Sequence, residues 1–125
     1  MANLQVEFAT QFKHEFKNLP TADKDKITHF VEHILTNGFI GLEGKNKSSN
    51  DVNFNDANYV SKIEYARKYR LWHYHIGIIQ YDLTKPYGRR TSEYVLHYQR
   101  LVNMVRIVDL SAHPPFRLPT KDYLK

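Results

Sequence analysis

Cysteine is absent from the 125-residue sequence, and glycine and proline are scarce, with five of each. Without thiols the chain can form no disulfide, no thiolate metal site and no cysteine nucleophile, and nothing points to an oxidising compartment. No apolar run is long enough to span a membrane, and the first residues lack the basic start and apolar stretch of an export signal. We therefore expect a cytoplasmic protein without a membrane partner.

The composition is that of a folded protein, with 42% hydrophobic and 25% charged residues. The length suits a single domain over residues 1–125. The net charge is +5, and it is unevenly distributed: residues 1–60 hold six lysines against eight acids, whereas residues 61–125 hold twelve Lys and Arg against five acids. A basic half of this kind is typical of proteins that meet phosphate backbones, and its alternative is a solvated basic face without a partner.

The first part of the chain, up to Gly38, has the pattern of one strand followed by two helices. Alternation over residues 4–8 predicts a short strand, and phenylalanines at helical spacing predict a helix over about residues 9–18. An apolar stripe from Ile27 to Leu35 predicts a second helix, with Thr21 as N-cap and Asn37-Gly38 as its stop. His29 and His33 lie one turn apart on it, a spacing that suits a metal, but no HExxH pattern or third ligand accompanies them, which favours structural roles.

Residues 39–58, rich in Gly, Asn, Ser and Asp, predict a long loop. After it, β-branched and aromatic residues predict four strands, over residues 60–67, 69–81, 93–101 and 104–111. Turns are expected at residues 67–68, 82–92 and 102–103. The predicted fold class is α+β: an N-terminal strand and two helices packed on one face of a mostly antiparallel sheet of four to five strands, with the other face largely open to water.

Several histidines lie on these predicted strands. In the 69–81 segment Arg70, Trp72, Tyr74 and Ile76 share one face, which we expect in the core, and His73 and His75 share the other. His97 belongs to the next strand. His113 stands at the end of the last strand, where two prolines stop the ladder; a histidine so placed can exchange protons near neutral pH, or can simply cap a turn.

The element order, the segment 68–74 (KYRLWHY) and the ending 111–116 (SAHPPF) together resemble the RelE/ParE superfamily of bacterial toxins. A Tyr-Arg-Leu or similar tripeptide commonly opens the third strand in that superfamily. In its YafQ-like branch a Gly-Thr-His-x-x-x-Phe segment ends the last strand, and this histidine takes part in cleavage. The chain differs in its longer 82–92 hairpin, its extension to Lys125 and one residue fewer between His113 and Phe116.

The resemblance implies a toxin of a type II toxin-antitoxin system that cuts messenger RNA, usually on the ribosome, and is held inactive by a cognate antitoxin. The chemistry would be attack of a ribose 2′-hydroxyl on the adjacent phosphate, with no metal or other cofactor. His113 is then the first choice for general acid or base, with His73, His75 or His97 as its complement and Glu64 as an alternative base. Phosphate would be stabilised by basic side chains, for which the candidates are Arg67, Lys68, Arg70, Arg106 and Arg117, and Tyr74 or Tyr98 would stack on a base.

Two other functions fit the same sequence. ParE-type members of the superfamily bind DNA gyrase and have no nuclease activity, so they need no histidines at strand ends. A catalytically silent RNA-binding module is also compatible with the charge distribution. Seven histidines, four of them in the predicted sheet or at its end, favour the ribonuclease.

Overall fold

The computed structural model describes residues 4–113 and 116–125 and has an α+β architecture. In chain order its elements are β1 (Gln5–Phe8), α1 (Thr10–Phe16), α2 (Thr21–Asn37), β2 (Asn46–Ser48), α3 (Tyr59–Lys68), β3 (Leu71–His75), β4 (Tyr94–Leu101), β5 (Met104–Ala112) and a 3₁₀ helix (Lys121–Leu124). Within the described part of the chain, no helix has the length and apolar character needed to cross a membrane. The prolines expected to end the last strand, Pro114 and Pro115, lie outside the described residues.

The five strands form one sheet in the order β1-β5-β4-β3-β2. The pairs β2–β3, β3–β4 and β4–β5 are antiparallel, but β1 runs parallel to β5, with Gln5 opposite Met104. The sheet is therefore mixed, and the prediction of a mostly antiparallel sheet is corrected by this N-terminal strand. Its partner is the last strand of the chain, a long-range pairing that local sequence does not specify.

Helices α1 and α2 pack on one face of the sheet, as the apolar periodicity predicts. Phe12 of α1 and Ile27, Phe30 and Ile34 of α2 are buried there. They meet a layer of strand residues that consists of Tyr74, Leu96, Tyr98, Val105 and Ile107. Helix α2 stops as expected, since Gly38 adopts a φ of 66° that side chains with a Cβ rarely accept. Pro20 rather than Thr21 occupies the N-cap position.

The predicted strand over residues 60–67 is wrong, because this segment forms α3. Its β-branched and aromatic residues favour a strand locally, but tertiary contacts override that preference. Ala66 is buried against Leu71, with Tyr65 and Tyr69 packed around it. The predicted turn at residues 67–68 is accordingly the last turn of a helix.

The remaining strands keep their predicted places with adjusted ends. The segment predicted over residues 69–81 is a strand only from Leu71 to His75, and Gly77 then turns the chain with a φ of 80°. Strands β4 and β5 are joined by residues 102–103, as expected, with Asn103 at a φ of 60°. The long loop over residues 39–58 contains the short edge strand β2, which pairs with β3.

The second face of the sheet is covered, so the prediction that it is largely open to water is wrong. A second apolar cluster lies on it, formed by Ala9, Ala66, Leu71, Val108 and Leu124. The C-terminal segment is bound in place by the Tyr65 hydroxyl, which donates to the Pro119 carbonyl at 2.7 Å. This layer leaves one end of the face to polar side chains, and the histidines gather there.

Candidate functional site: a histidine cluster at the end of β5

Strand alternation separates the aromatic and histidine side chains of β3. Tyr74, Ile76 and the partly buried Trp72 pack with the helices, which confirms that part of the predicted core. Arg70 does not join them, because it precedes the strand with a φ of 53° and is exposed. His73 and His75 project from the opposite face and are 5% and 6% exposed.

Four histidines from three strands meet on that face; we call His73, His75, His97 and His113 the histidine cluster. The ring centroids of His75 and His113 lie 5.4 Å apart, those of His73 and His113 5.9 Å apart, and those of His73 and His97 6.3 Å apart. The register explains the meeting: His73 stands opposite His97 across β3 and β4, and β5 delivers His113 just beyond its last residue.

Phe116 closes the cluster on its apolar side. Its ring centroid lies 4.6 Å from that of His73, 5.0 Å from that of His113 and 5.6 Å from that of His97. An aromatic ring in van der Waals contact with three imidazoles restricts their rotation and excludes water from one side. Phe116 therefore positions the cluster.

Three serines hold three of the four imidazoles. Ser49, which is fully buried, places its hydroxyl 3.0 Å from Nδ1 of His73. Ser111 Oγ lies 2.8 Å from Nε2 of His97. The backbone of Ser92 brackets Nδ1 of His75, with the carbonyl oxygen at 3.1 Å and the amide nitrogen at 3.0 Å. These contacts leave Nε2 of His73 and of His75 as the nitrogens available for chemistry.

His113 is held through its backbone, and one of its ring nitrogens has no hydrogen-bond partner among the residues that the structure describes. Its amide donates to the Glu93 carbonyl at 2.7 Å. Its Nδ1 is buried and meets no hydrogen-bond partner within residues 4–113 and 116–125, and the same holds for Nδ1 of His97. A buried nitrogen without a partner is costly in a folded protein, so a donor group that reached either nitrogen would stabilise it.

The environment keeps the imidazoles neutral. Burial, reinforced by the other three histidines, lowers the pKa of His73 to about 3. Burial and the charge of His113 lower the pKa of His97 to about 3. The pKa values of His75 and His113 are also lowered, chiefly by burial and then by positive charge around them. The rings therefore present lone pairs that can accept a proton or bind a metal ion.

Lysines of β2 and its approach stand at the two entrances to the cluster. A cavity of about 270 Å³ leads past Lys47 to His73 and His113. A wider groove leads past Lys45 to His75 and His113. His113 is common to both. The pKa of Lys45 is lowered, mainly by the charge of Lys47 and then by burial, so an anion bound near the two lysines would relieve their repulsion.

Most of the basic residues predicted to stabilise phosphate do not lie at the cluster. Arg67 and Lys68 are exposed at the end of α3, and Arg70 stands at the opposite end of β3 from His75, about 17 Å along the strand. Arg106 is held by Glu7 at 2.6 Å and by Gln99 at 3.1 Å. Arg117 is exposed directly after Phe116, which adjoins the cluster, so it remains a candidate for stabilising phosphate.

The predicted roles of Glu64, Tyr74 and Tyr98 do not fit their locations. Glu64 is exposed on α3 and does not line either entrance. Tyr74 stacks on Phe30 in the core, with 4.9 Å between ring centroids. Tyr98 is fully buried and its hydroxyl donates to the Asn46 side-chain oxygen at 2.7 Å. Neither tyrosine offers a face on which a base could stack.

Sequence reasoning missed the serines that orient the rings and the lysines at the entrances. Ser49, Lys45 and Lys47 belong to the segment interpreted as a loop, and their approach to the histidines depends on β2 pairing with β3. In the sequence these three residues belong to the polar run 44–50, which has no apolar period and therefore predicts neither a strand nor a site. Phe116 was noted in the resemblance but had been given no role.

No family model, no curated protein and no solved structure matches the chain. Functional conclusions therefore depend on the residues and geometry of the histidine cluster.

Proposed function

We propose that the protein is a RelE/ParE-type toxin that cleaves messenger RNA without a metal ion, on the ribosome, and is held inactive by an antitoxin. The observation that carries the proposal is the convergence of four imidazoles beside two lysines at the end of β5. Histidine side chains are the commonest general acids and bases, and lysines offset charge that develops on phosphate. A gyrase-binding toxin would have no use for this arrangement.

In the proposed reaction the histidines carry out the two proton transfers. A nitrogen of His113 takes the proton of the ribose 2′-hydroxyl, whose oxygen attacks the adjacent phosphorus and expels the 5′-oxygen of the next nucleotide. The cluster returns a proton to that leaving oxygen through His113 or its neighbour His75, whose ring lies 5.4 Å away between centroids. The products are a 2′,3′-cyclic phosphate and a 5′-hydroxyl, and the cluster regains its starting number of protons.

Lysines stabilise the charge that accumulates on the phosphate during this step. Lys47 and Lys45 lie at the entrances that share His113, so a phosphodiester at His113 would sit within the field of both. Lys47 is paired with Asp51 in the free protein, and the phosphate would compete with that carboxylate. These two lysines supply the positive charge for which the sequence had suggested Arg67, Lys68, Arg70 and Arg106.

The test is controlled expression of the wild type, a His113→Ala variant and a His29→Ala variant, followed by mapping of messenger RNA 5′ ends in arrested cells. His29 is exposed on α2, away from the cluster, so its loss controls for removal of a histidine. We expect cuts with the wild type and the His29 variant and none with the His113 variant. Arrest with intact RNA and blocked replication would instead indicate a gyrase inhibitor, and RNA binding without cleavage a silent module.

A biochemical test uses purified protein and RNA with EDTA present, with and without ribosomes. Cleavage should leave a 2′,3′-cyclic phosphate and should stop when the ribose at the cut position is replaced by deoxyribose. Cleavage of the deoxyribose-containing strand would contradict the proposed chemistry, because no 2′-hydroxyl would be available to attack.

A further inference from the structure

Three members of the histidine cluster lie close enough together to converge on one metal ion. One ring nitrogen each of His73, His75 and His113 lies within 4.8 Å of the other two. His73 and His75 are two residues apart on one strand, so their side chains project from the same face, and His113 approaches from the end of β5. A tetrahedral ion with metal–nitrogen distances of about 2.1 Å would hold its ligands about 3.4 Å apart. Each pair of nitrogens would therefore approach by about 1.4 Å at most.

The partners behind two of the three rings match the surroundings of metal-binding histidines. Such histidines usually donate their second ring N–H to a carbonyl or a hydroxyl, which fixes the tautomer and aims the remaining lone pair at the metal. His73 has the Ser49 hydroxyl at Nδ1, and His75 has the Ser92 carbonyl at Nδ1. Nδ1 of His113 is buried without a partner among the residues described. The hydrogen bonds therefore orient His73 and His75 toward a common ion, and His113 completes the set by its position at the end of β5.

The donor set indicates which ions would bind. Three imidazoles with no carboxylate suit Zn²⁺ and its neighbours among the first-row transition metals, whereas Mg²⁺ and Ca²⁺ prefer oxygen ligands. Lys45 and Lys47 add positive charge beside the site, so the fourth position of a bound ion would be taken by hydroxide or another anion. His97 belongs to the cluster but not to this ligand set.

We propose that His73, His75 and His113 bind one Zn²⁺ ion through their ring nitrogens. Binding requires the His75 tautomer in which Nδ1–H donates to the Ser92 carbonyl and Nε2 carries the lone pair. In the other tautomer Nδ1 accepts from the Ser92 amide and Nε2–H is a donor suited to a phosphate oxygen. A consequence, which rests on the proposed ribonuclease function, is that Zn²⁺ and the phosphodiester exclude each other and Zn²⁺ stops cleavage.

Metal binding is tested on the full chain without an affinity tag, after EDTA treatment and dialysis. Equilibrium dialysis with Zn²⁺ should saturate at one ion per chain, and Co²⁺ should give the visible absorption of a four-coordinate ion. His113→Asn should weaken Zn²⁺ binding by more than about tenfold, and Ser49→Ala, which removes the hydroxyl behind His73, by about tenfold. A His29→Asn/His33→Asn variant, which removes the histidine pair on α2, should bind as the wild type does.

These experiments test the metal site separately from the ribonuclease activity. Unchanged binding by His113→Asn, loss of binding in the α2 double variant, or no uptake by the wild type would overturn the metal site. If His113→Asn fails to fold by circular dichroism, ¹⁵N shifts of the histidine rings in Zn²⁺-titrated wild type decide the same question, because three rings should respond. Zn²⁺ uptake with no RNA cleavage under any condition would leave the metal site standing and refute the ribonuclease.

Discussion

Asp109 lies half-buried on β5, opposite His97, where its carboxylate loses solvation. Burial raises its pKa to about 6, with a further contribution from Glu15, against the stabilising hydrogen bond that the Leu110 amide donates to Oδ1 at 2.9 Å. The folded state therefore binds a proton more tightly than the unfolded chain does. Stability from this group is fully present below about pH 4 and is lost as the pH rises through about 6.

The size of the effect follows from the shift. About two pKa units correspond to a ceiling of about 3 kcal/mol, and because part of the side chain stays in contact with water we expect about 1–2 kcal/mol. Asp109→Asn keeps the shape and the acceptor for Leu110 but does not ionise. Relative to the wild type, the variant should gain about 1–2 kcal/mol of unfolding free energy between pH 4.5 and pH 8.

Urea denaturation of both proteins at the two pH values measures this difference directly. Asp25→Asn, on the exposed surface of α2, controls for the loss of one negative charge. An equal difference in stability between Asp109→Asn and the wild type at both pH values, or a relative loss at pH 8, would refute the reasoning. Either result would mean that the folded protein does not disfavour the Asp109 carboxylate.

Three further predictions address the cluster and its supports. Gly44→Ala should lower the free energy of unfolding by about 1–3 kcal/mol and weaken the pairing of β2 with β3, because a Cβ there would collide with the carbonyl oxygen of His75. An unchanged midpoint of urea denaturation would contradict this close approach. Phe116→Ala should lower the free energy of unfolding, measured by urea denaturation, by about 1–3 kcal/mol. It should also slow RNA cleavage, because the imidazoles would be held less firmly, and full activity would show that the ring has no positioning role. Lys47→Gln should reduce RNA cleavage about tenfold or more, whereas Lys68→Gln at the exposed end of α3 should not; equal effects of the two changes on single-turnover rates would indicate a diffuse basic surface instead.

The sequence alone determined the features that depend on local periodicity. The apolar stripe of α2, the two-residue turn between β4 and β5, and the separation of Trp72 and Tyr74 from His73 and His75 follow from repeats of 3.6 and 2 residues. The apolar run over residues 104–111 and the two prolines that follow His113 marked this histidine as a side chain at the end of a strand. These properties are set by neighbours within a few positions, so the pattern specifies them before any tertiary contact forms.

Only the tertiary structure decided the features that depend on distant contacts. The segment at residues 59–68 is a helix because Ala66 and Tyr65 find partners in Leu71 and the C-terminal segment. The parallel pairing of β1 with β5 joins the two ends of the chain, so no local pattern specifies it. The covered second face follows from the same packing. The four histidines meet because the registers between strands, not the spacing along the chain, bring His97 opposite His73 and His113 beside His75. Lys45, Lys47 and Ser49 reach them from residues 44–50, which have no regular pattern in the sequence.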